Sequence, residues 1–240
     1  VSDAVVPADV DGRRPAAETR TMGRRGQRTR RLLLDRTAAL LDSASYREVR
    51  VVDIARAAEM SPAAFYQYFN DVEAAVLALA GEMAEDCGPE LAALVGDHPW
   101  EGPAAWETAV AVADGFLSVW DRHRAVLRVV DLATDEGDQR FRDLRTRFLR
   151  FPTDALVQVL EERSRGAERP DPRAEAGVAI SMLAHVAAHH EGLEQWGAPG
   201  EDLRRAMARV LYLTVTGEVP PASAGQSSVA PGDPGSASSP

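Results

Sequence analysis

The sequence predicts an all-α protein, and three observations carry that prediction. Apolar residues recur at helical spacing in nearly every segment between residues 28 and 216. Nowhere do several well-bounded runs alternate apolar and polar residues, as half-buried strands would. Clusters of helix breakers divide the segments, GDHPWEGP at 96–103 being dense in them. No internal repeat is present, which disfavours a helical solenoid.

Residues 1–27 carry few large apolar side chains and no periodicity, so they cannot offset the entropy of becoming ordered, and they read as a flexible, Arg-containing arm. Leu33, Leu34, Thr37, Ala38 and Leu41 make a first helix, with a loop leading to Tyr46. Two short helices follow, Val51 to Ala58 and Pro62 to Tyr68, around Glu59, Met60 and Ser61. A longer helix starts at Asp71, is perturbed at Gly88 and Pro89, and ends near Val95. Further helices are expected over 103–121, 123–133, 138–164, 172–195 and 200–216, separated by DRH, TDEGD, RGAERPDP and GAPG. The Pro-, Gly-, Ser- and Ala-rich end, 217–240, reads as a disordered tail. The expected organisation is therefore an arm over 1–27, a first helical unit over 28–70, a larger helical unit over 71–216 and a tail over 217–240.

Charge first argues against nucleic acid and then for it. The 240 residues hold 27 basic and 37 acidic side chains, a net charge of −10. Every basic residue is Arg and the single Asn is Asn70, a pattern that fits a GC-rich coding bias better than selection for Arg chemistry. The distribution is uneven: residues 1–70 contain 12 Arg against 9 acidic residues, and residues 71–240 contain 15 against 28. Arg24, Arg25, Arg28, Arg30 and Arg31 crowd the entrance to the first helix, where they could track phosphates or reach a minor groove. The single cysteine, Cys87, allows no intramolecular disulfide and reads as a small buried hydrophobe. No apolar run reaches the ~18 residues of a membrane span, and the N-terminal stretch is acidic and Pro-containing, so a cytoplasmic location away from membranes is expected.

The informative stretch is YREVRVVDIARAAEMSPAAFYQYFNDVEAAVLALA at 46–80. Val51, Ile54, Ala55 and Ala58 give one short helix an inner face, and Ser61 followed by Pro62 is an N-cap and first-turn signature for the next. Only about three residues separate the two, the compact turn of a helix-turn-helix, whose second helix can lie in a major groove. Over roughly residues 30–80, from the Leu33-Leu34 helix through DIARAAEMSPAAFYQYF, the sequence resembles the TetR family of transcriptional regulators. Departures are specific. Ser45 and Glu59 stand where that family usually has Gly, so either both turns accept a left-handed non-Gly residue or their geometry differs. Val72 replaces a common Lys and Ala64 a common Thr, which removes two usual phosphate contacts and shifts reliance to the Arg-rich arm.

The resemblance and side-chain chemistry together imply roles in the second helix. Ser61, Pro62, Ala63 and Ala64 form its approach to DNA, the alanines being small enough to touch a thymine methyl. Tyr66 is expected to donate its hydroxyl to a phosphate, Gln67 to read a base edge, and Tyr68 to touch backbone or base. Phe65 and Phe69 are expected to pin the helix to the domain core. One short helix reads few base pairs, so a homodimer on a palindromic double-stranded DNA operator is implied. For the dimer, following the family, Ile180, Leu183, Ala184 and Ala187 on the penultimate helix, with Leu203, Met207, Val210 and Leu211 on the last, are expected to pair with their symmetry mates.

The resemblance also implies a small-molecule effector cavity. Trp106, Phe116, Trp120, Phe148 and Phe151 are aromatic candidates for its lining, although most such surface is expected to be core. Met182, His185 and His189 share a face of the penultimate helix opposite its Ala-rich side and are placed near the pocket, the alternative being satisfied core or interface histidines. No third ligand joins the His pair, so neither metal nor cofactor is expected. Arg140, Arg142, Arg145, Arg147 and Arg150 read best as a salt-bridged helix face, the alternative being that an anionic effector uses one of them. The chain holds no phosphate-cradling glycine loop, HExxH, GxSxG or Cys-His context, which disfavours an enzyme. The competing reading is a helical effector-binding or interaction module that has lost specific DNA binding, for which Val72 and Ala64 speak.

Overall fold

The computed structural model describes residues 23–163 and 171–220, all of whose regular structure is helical. The helices are α1 (Arg24–Ser43), α2 (Val51–Ala57), α3 (Pro62–Phe65), α4 (Val72–Gly96), α5 (Ala104–Asp135), α6 (Gln139–Arg163), α7 (Pro172–Gln195) and α8 (Gly200–Thr216), with a 3-10 turn at Tyr46–Glu48. The all-α expectation holds. Arm residues 1–22, tail residues 221–240 and most of the RGAERPDP separator lie outside the described residues.

Two boundaries differ from expectation. α1 begins at Arg24, so Arg24 and Arg25 belong to a helix and not to an arm. This first turn is Arg, Arg, Gly and Gln, which buries nothing and therefore leaves no apolar period to read, although Arg and Gln are good helix formers. The expected break at 121–123 is instead a kink within one helix, His123 taking φ −119° and ψ 18°. The end of α8 follows a simple rule: Gly217 adopts φ 71° and donates its N–H to the Leu213 carbonyl.

The helices pack around two hydrophobic cores. One gathers Leu33, Leu34, Ile54, Phe65 and Phe69 with Val76 and Ala80 of α4, Val126 and Val130 of α5, and Phe141 and Leu144 of α6. The other joins Leu91, Phe116, Phe148, Leu156, Ile180 and Leu211 among α4, α5, α6, α7 and α8. Residue 70 is thus no boundary in packing: the helix-turn-helix completes its core with the start of α4, the end of α5 beyond the kink, and the start of α6. Side chains reinforce that join. Burial, with the Glu73 carboxylate beside it, pushes the Tyr46 phenol well above its ordinary range, and its hydroxyl bonds Glu73 in the first turn of α4. Arg47 pairs with Glu136 at the end of α5.

α7 corrects the expected dimer face. Ile180, Leu183, Ala184 and Ala187 are buried in their own chain's core, as are Met207 and Leu211 of α8, so none is available to a partner. Leu203 is half-buried and Val210 exposed. The open face of α7 is the other one, which carries Val178, Ser181, His185 and His189. Neither face of this helix carries an Arg, Asp or Glu between Ala176 and His190, so periodicity located two stripes without saying which packs inward. The Ala-rich stripe won because small side chains let α7 approach α5 and α6 closely.

Candidate nucleic-acid interface and effector groove

The turn between α2 and α3 is built by three local devices. Glu59 adopts φ 56°, the left-handed conformation that glycine usually supplies. Met60 then returns its N–H to the Ala55 carbonyl at 2.8 Å. Ser61 caps α3, its hydroxyl accepting the Ala64 N–H at 3.2 Å, and Pro62 opens the first turn. At Ser45 the other alternative applies, since φ −62° and ψ 138° are ordinary extended backbone needing no glycine. Single helical turns then carry the chain from Phe65 to Phe69, so the recognition element extends beyond the four regular residues of α3.

That element has two unlike faces. Phe65 is wholly buried and Phe69 nearly so, with ring centroids 5.6 Å apart, which pins the segment to the core. Ser61, Pro62, Ala63, Tyr66 and Gln67 are exposed, while Ala64 and Tyr68 are half-buried. Tyr68 and Val72 pack, partly buried, against the core. The exposed phenol and amide thus stand side by side on an apolar footing. Asp71 caps α4 by accepting the Ala74 N–H at 2.6 Å and fixes the exit from the segment.

The arginines at the head of α1 divide into two kinds. Arg24, Arg25 and Arg28 are exposed, with no carboxylate in ion-pair range among the described residues. Arg30 is different, contrary to expectation. Its guanidinium donates to Glu82 of α4 at 2.7 Å and lies 5.4 Å from the Phe69 ring centroid, a cation–π contact, so it is committed inside the protein. Arg31 donates to the same Glu82 at 2.9 Å and to Asp35 at 3.0 Å. Glu82 therefore ties α4 to α1 and, through Arg30, to the end of the recognition element. Sequence alone gave no sign of it, because its partners lie about fifty positions away and meet it only through helix packing.

The expected aromatic pocket is corrected as well. Phe116 and Trp120 stack at 5.8 Å, Trp120 meets Phe148 at 5.7 Å, and Trp106 lies edge-on to Tyr212 at 5.9 Å. These rings fill one another's space and form core, although Trp120, together with His189, also borders a small cavity between α5 and α7. Met182 packs against that core from the side, and His185 and His189 are exposed with rings stacked at 4.3 Å. Phe151 alone of the aromatic set stands substantially open, 43% exposed, beside a groove between α4 and α6.

The groove measures about 540 Å³ and is lined by Gly81, Ala84, Glu85, Arg147, Arg150, Phe151 and Asp154. It exists because α4 is stripped of side chains on this face. At Gly88 an added Cβ would lie 2.6 Å from Phe151 Cδ2, so only glycine admits the ring there. Gly81, Ala84 and Gly88 recur at offsets of three and four, a small-residue stripe that sequence reading passed over. Arg150 pairs with Asp154 at 3.0 Å, Arg140 with Asp138 at 2.6 Å and Arg145 with Asp131 at 3.1 Å, much as a salt-bridged face requires. Arg147 has no carboxylate within ion-pair range among the described residues and lines this groove and the open cleft beside it. The groove thus offers an apolar wall, one uncommitted guanidinium, and Gly81 next to Glu82 in the chain.

The family model described as bacterial regulatory proteins, tetR family, matches residues 33–79. A second, described as tetracyclin repressor-like, C-terminal domain, matches residues 91–222. No curated protein matches the sequence. Among solved structures, the fold is similar to the fatty acid degradation regulator FadR from Bacillus halodurans, with TM-score 0.59, 16% identity, and coverage of 82% of this chain and 97% of that one. The transcriptional regulator FadR from Bacillus subtilis, solved in complex with stearoyl-CoA, gives TM-score 0.58 and 18% identity over 78% and 98% of the two chains. A tetR-family transcriptional regulator from Streptomyces coelicolor gives 0.60 and 19% over 81% and 83%. At these identities the structural likeness speaks for the fold alone. The family rests on the matched residues, which include more than half of the chain.

Proposed function

This chain belongs to the TetR family of transcriptional regulators, and from that premise we propose that it works as a homodimeric repressor, holding a palindromic DNA operator until a small-molecule effector releases it. The observation that carries this reading is the two-faced recognition element, where Tyr66 and Gln67 stand exposed on a buried Phe65–Phe69 footing. A phenol donates to a phosphate oxygen and thereby fixes register. A primary amide can donate to and accept from one base edge and so distinguishes bases. Ala63 and Ala64 let the backbone come close, and Arg24, Arg25 and Arg28 supply charge along the flank.

The dimer is assigned to the outward faces of α7 and α8. Val178 is 72% exposed and Val210 46%, on stripes that also present Ser181, His185 and His189, and no other use for these apolar groups is evident in the fold. Val178→Arg is expected to leave a folded monomer by light scattering.

The effector is assigned to the α4–α6 groove. An apolar body against Ala84 and Phe151 and an anionic head on Arg147 suit its walls, and the stearoyl-CoA held by the B. subtilis neighbour is a ligand of that general kind. Occupancy would part α4 from α6, shift Glu82, and so loosen Arg30 from Phe69. Because coupling is reciprocal, DNA would then weaken the effector by the same factor.

Fluorescence anisotropy with a palindromic fragment from the gene's own upstream region tests both parts, with stearoyl-CoA as the probe. The expected result is salt-dependent binding at least ten times tighter than to a scrambled fragment, weakened by the probe. Equal binding to both fragments would replace the repressor with a ligand-binding or interaction module lacking specific DNA recognition.

A further inference from the structure

Five histidines occur in the chain, and two of them, His185 and His189, stand one helical turn apart in α7. Residues four apart on a helix share a face, with Cβ atoms about 5–6 Å from one another. Here the two imidazoles lie nearly parallel, at an interplanar angle of 27°, with ring centroids 4.3 Å apart. Both side chains are exposed. No third side chain joins them as a metal ligand among the described residues. That counts against a closed tetrahedral site but not against an open one, in which water completes the coordination shell.

The ring nitrogens are set for such a site. His189 Nδ1 lies 2.9 Å from the His185 carbonyl oxygen. A carbonyl only accepts, so Nδ1 carries the proton and Nε2 keeps its lone pair. A main-chain carbonyl on the other nitrogen is also the usual support of a metal-binding histidine, fixing its tautomer and orientation. His185 is stacked on His189 and makes no hydrogen bond or ion pair of its own side chain among the described residues, so its ring can turn the same atom toward an ion. A metal held at about 2.0–2.1 Å by each of two nitrogens needs those nitrogens about 3 Å apart. Rings already stacked at 4.3 Å reach that spacing by tilting their Nε2 edges together.

The other histidines show the contrast. His190 donates Nδ1–H to the Ala187 carbonyl at 2.9 Å and turns Nε2 to Asp121 at 3.5 Å, so both of its nitrogens are engaged. His123 sits in the kink of α5 with Nε2 3.5 Å from Cys87 Sγ. His98, just beyond α4, donates to the Ala93 carbonyl at 3.3 Å and has no histidine beside it. Only the α7 pair brings two unclaimed imidazole nitrogens together. Asp131 and Arg128 of α5 border the same small cavity as His189. Their opposite charges leave the choice of occupant to the nitrogen donors.

We propose that His185 and His189 bind one divalent transition ion through their Nε2 atoms. Imidazole donors select the nickel, copper and zinc end of the first row over manganese, magnesium and calcium, which prefer oxygen. The site needs one chain only. It therefore does not rest on the dimer assignment, although it lies on the surface given to the dimer.

The test is equilibrium dialysis of the full-length, untagged protein against nickel chloride, with manganese and magnesium chlorides in parallel and light scattering on the same samples. The expected result is saturable uptake of one Ni²⁺ per chain at micromolar concentration, at least about tenfold tighter than Mn²⁺. Paramagnetic Ni²⁺ should also broaden the ring-proton signals of His185 and His189 ahead of those of His98. A second donor on the same helix acts at high effective concentration, so His185→Gln and His189→Gln should each weaken binding at least about tenfold. His98→Gln should leave it unchanged. All three side chains are exposed, so the variants should fold, and an unchanged thermal midpoint without metal would verify it. The site is refuted if Ni²⁺ uptake does not saturate, if Mn²⁺ binds as tightly, or if either α7 variant binds like the parent. Light scattering keeps the two readings apart: a dimer that takes up no Ni²⁺ removes the metal site alone, whereas a monomer that takes it up removes the dimer face alone.

Discussion

The recognition element and α7 are both single helical segments with one face in the core, yet only the first declares which face that is. In SPAAFYQYF two phenylalanines four apart face a phenol and an amide, so chemistry and periodicity agree, and Phe65 and Phe69 are buried as expected. In α7 an Ala, Ile and Leu stripe lies opposite one of Val, Ser, Met and His, and neither is plainly a solvent face. The difference teaches that periodicity finds stripes, whereas polarity contrast decides their direction. Where contrast is weak, packing of the whole bundle decides.

The strongest way to break this comparison is in the core beneath α3. Phe65→Ala removes a fully buried ring and is expected to cost about 3–5 kcal/mol of stability, read by urea unfolding, with operator binding lost even where the chain stays folded. Its core is shared with α5 and α6, so the loss should appear as one transition for the whole protein. A separate early transition of the first 70 residues would show that the two cores are not coupled.

α7 gives the next largest effect. Ala184 is buried against the second core, and Ala184→Leu is expected to destabilise by ~1–3 kcal/mol through overpacking. Val178→Arg on the opposite face should change monomer stability by no more than about 0.5 kcal/mol while dissociating the dimer. If Ala184→Leu dissociated the dimer and Val178→Arg did not, the inward and outward faces would have to be exchanged.

Within the recognition element the comparison sharpens from stability to specificity. Gln67→Ala should flatten discrimination at one base pair by about 1–3 kcal/mol, measured across a panel of single-substitution operators. Tyr66→Phe, which removes one hydroxyl, should weaken every operator alike by ~0.5–1.5 kcal/mol. Uniform weakening by the first and altered preference by the second would reverse the reading and anchoring roles.

These contrasts mark what was legible in the sequence. The all-helical order, the turn at Glu59 to Ser61 and the Phe65–Phe69 footing were readable because each rests on local chemistry: caps, breakers, or an apolar pair at helical spacing. The first turn of α1 was hidden by having no apolar side chain. Trp106, Phe116, Trp120 and Phe148 could be recognised as interior, but whether aromatic rings enclose a cavity or fill it depends on how five helices converge, which no single segment records. Glu82 was invisible, and Arg147 could not be singled out from its run of five arginines, for a related reason. The significance of each lies in which partners are near, two arginines for the former and no carboxylate for the latter.

The smallest expected effect separates residues only two apart. Arg28 is exposed, and Arg28→Gln should lower the slope of log binding constant against log salt by about 0.9 for each phosphate that the guanidinium neutralises, with little change in stability. Arg30 spends its charge on Glu82 and its guanidinium face on Phe69. Arg30→Gln should therefore leave that slope alone and act instead by freeing the recognition element, so that the difference in affinity between effector-bound and effector-free protein shrinks. An equal drop in salt slope for both variants would mean that Arg30 leaves Glu82 when DNA arrives. In that case phosphate and Glu82 compete for one guanidinium, and the link from α4 to the recognition element is broken by the operator itself.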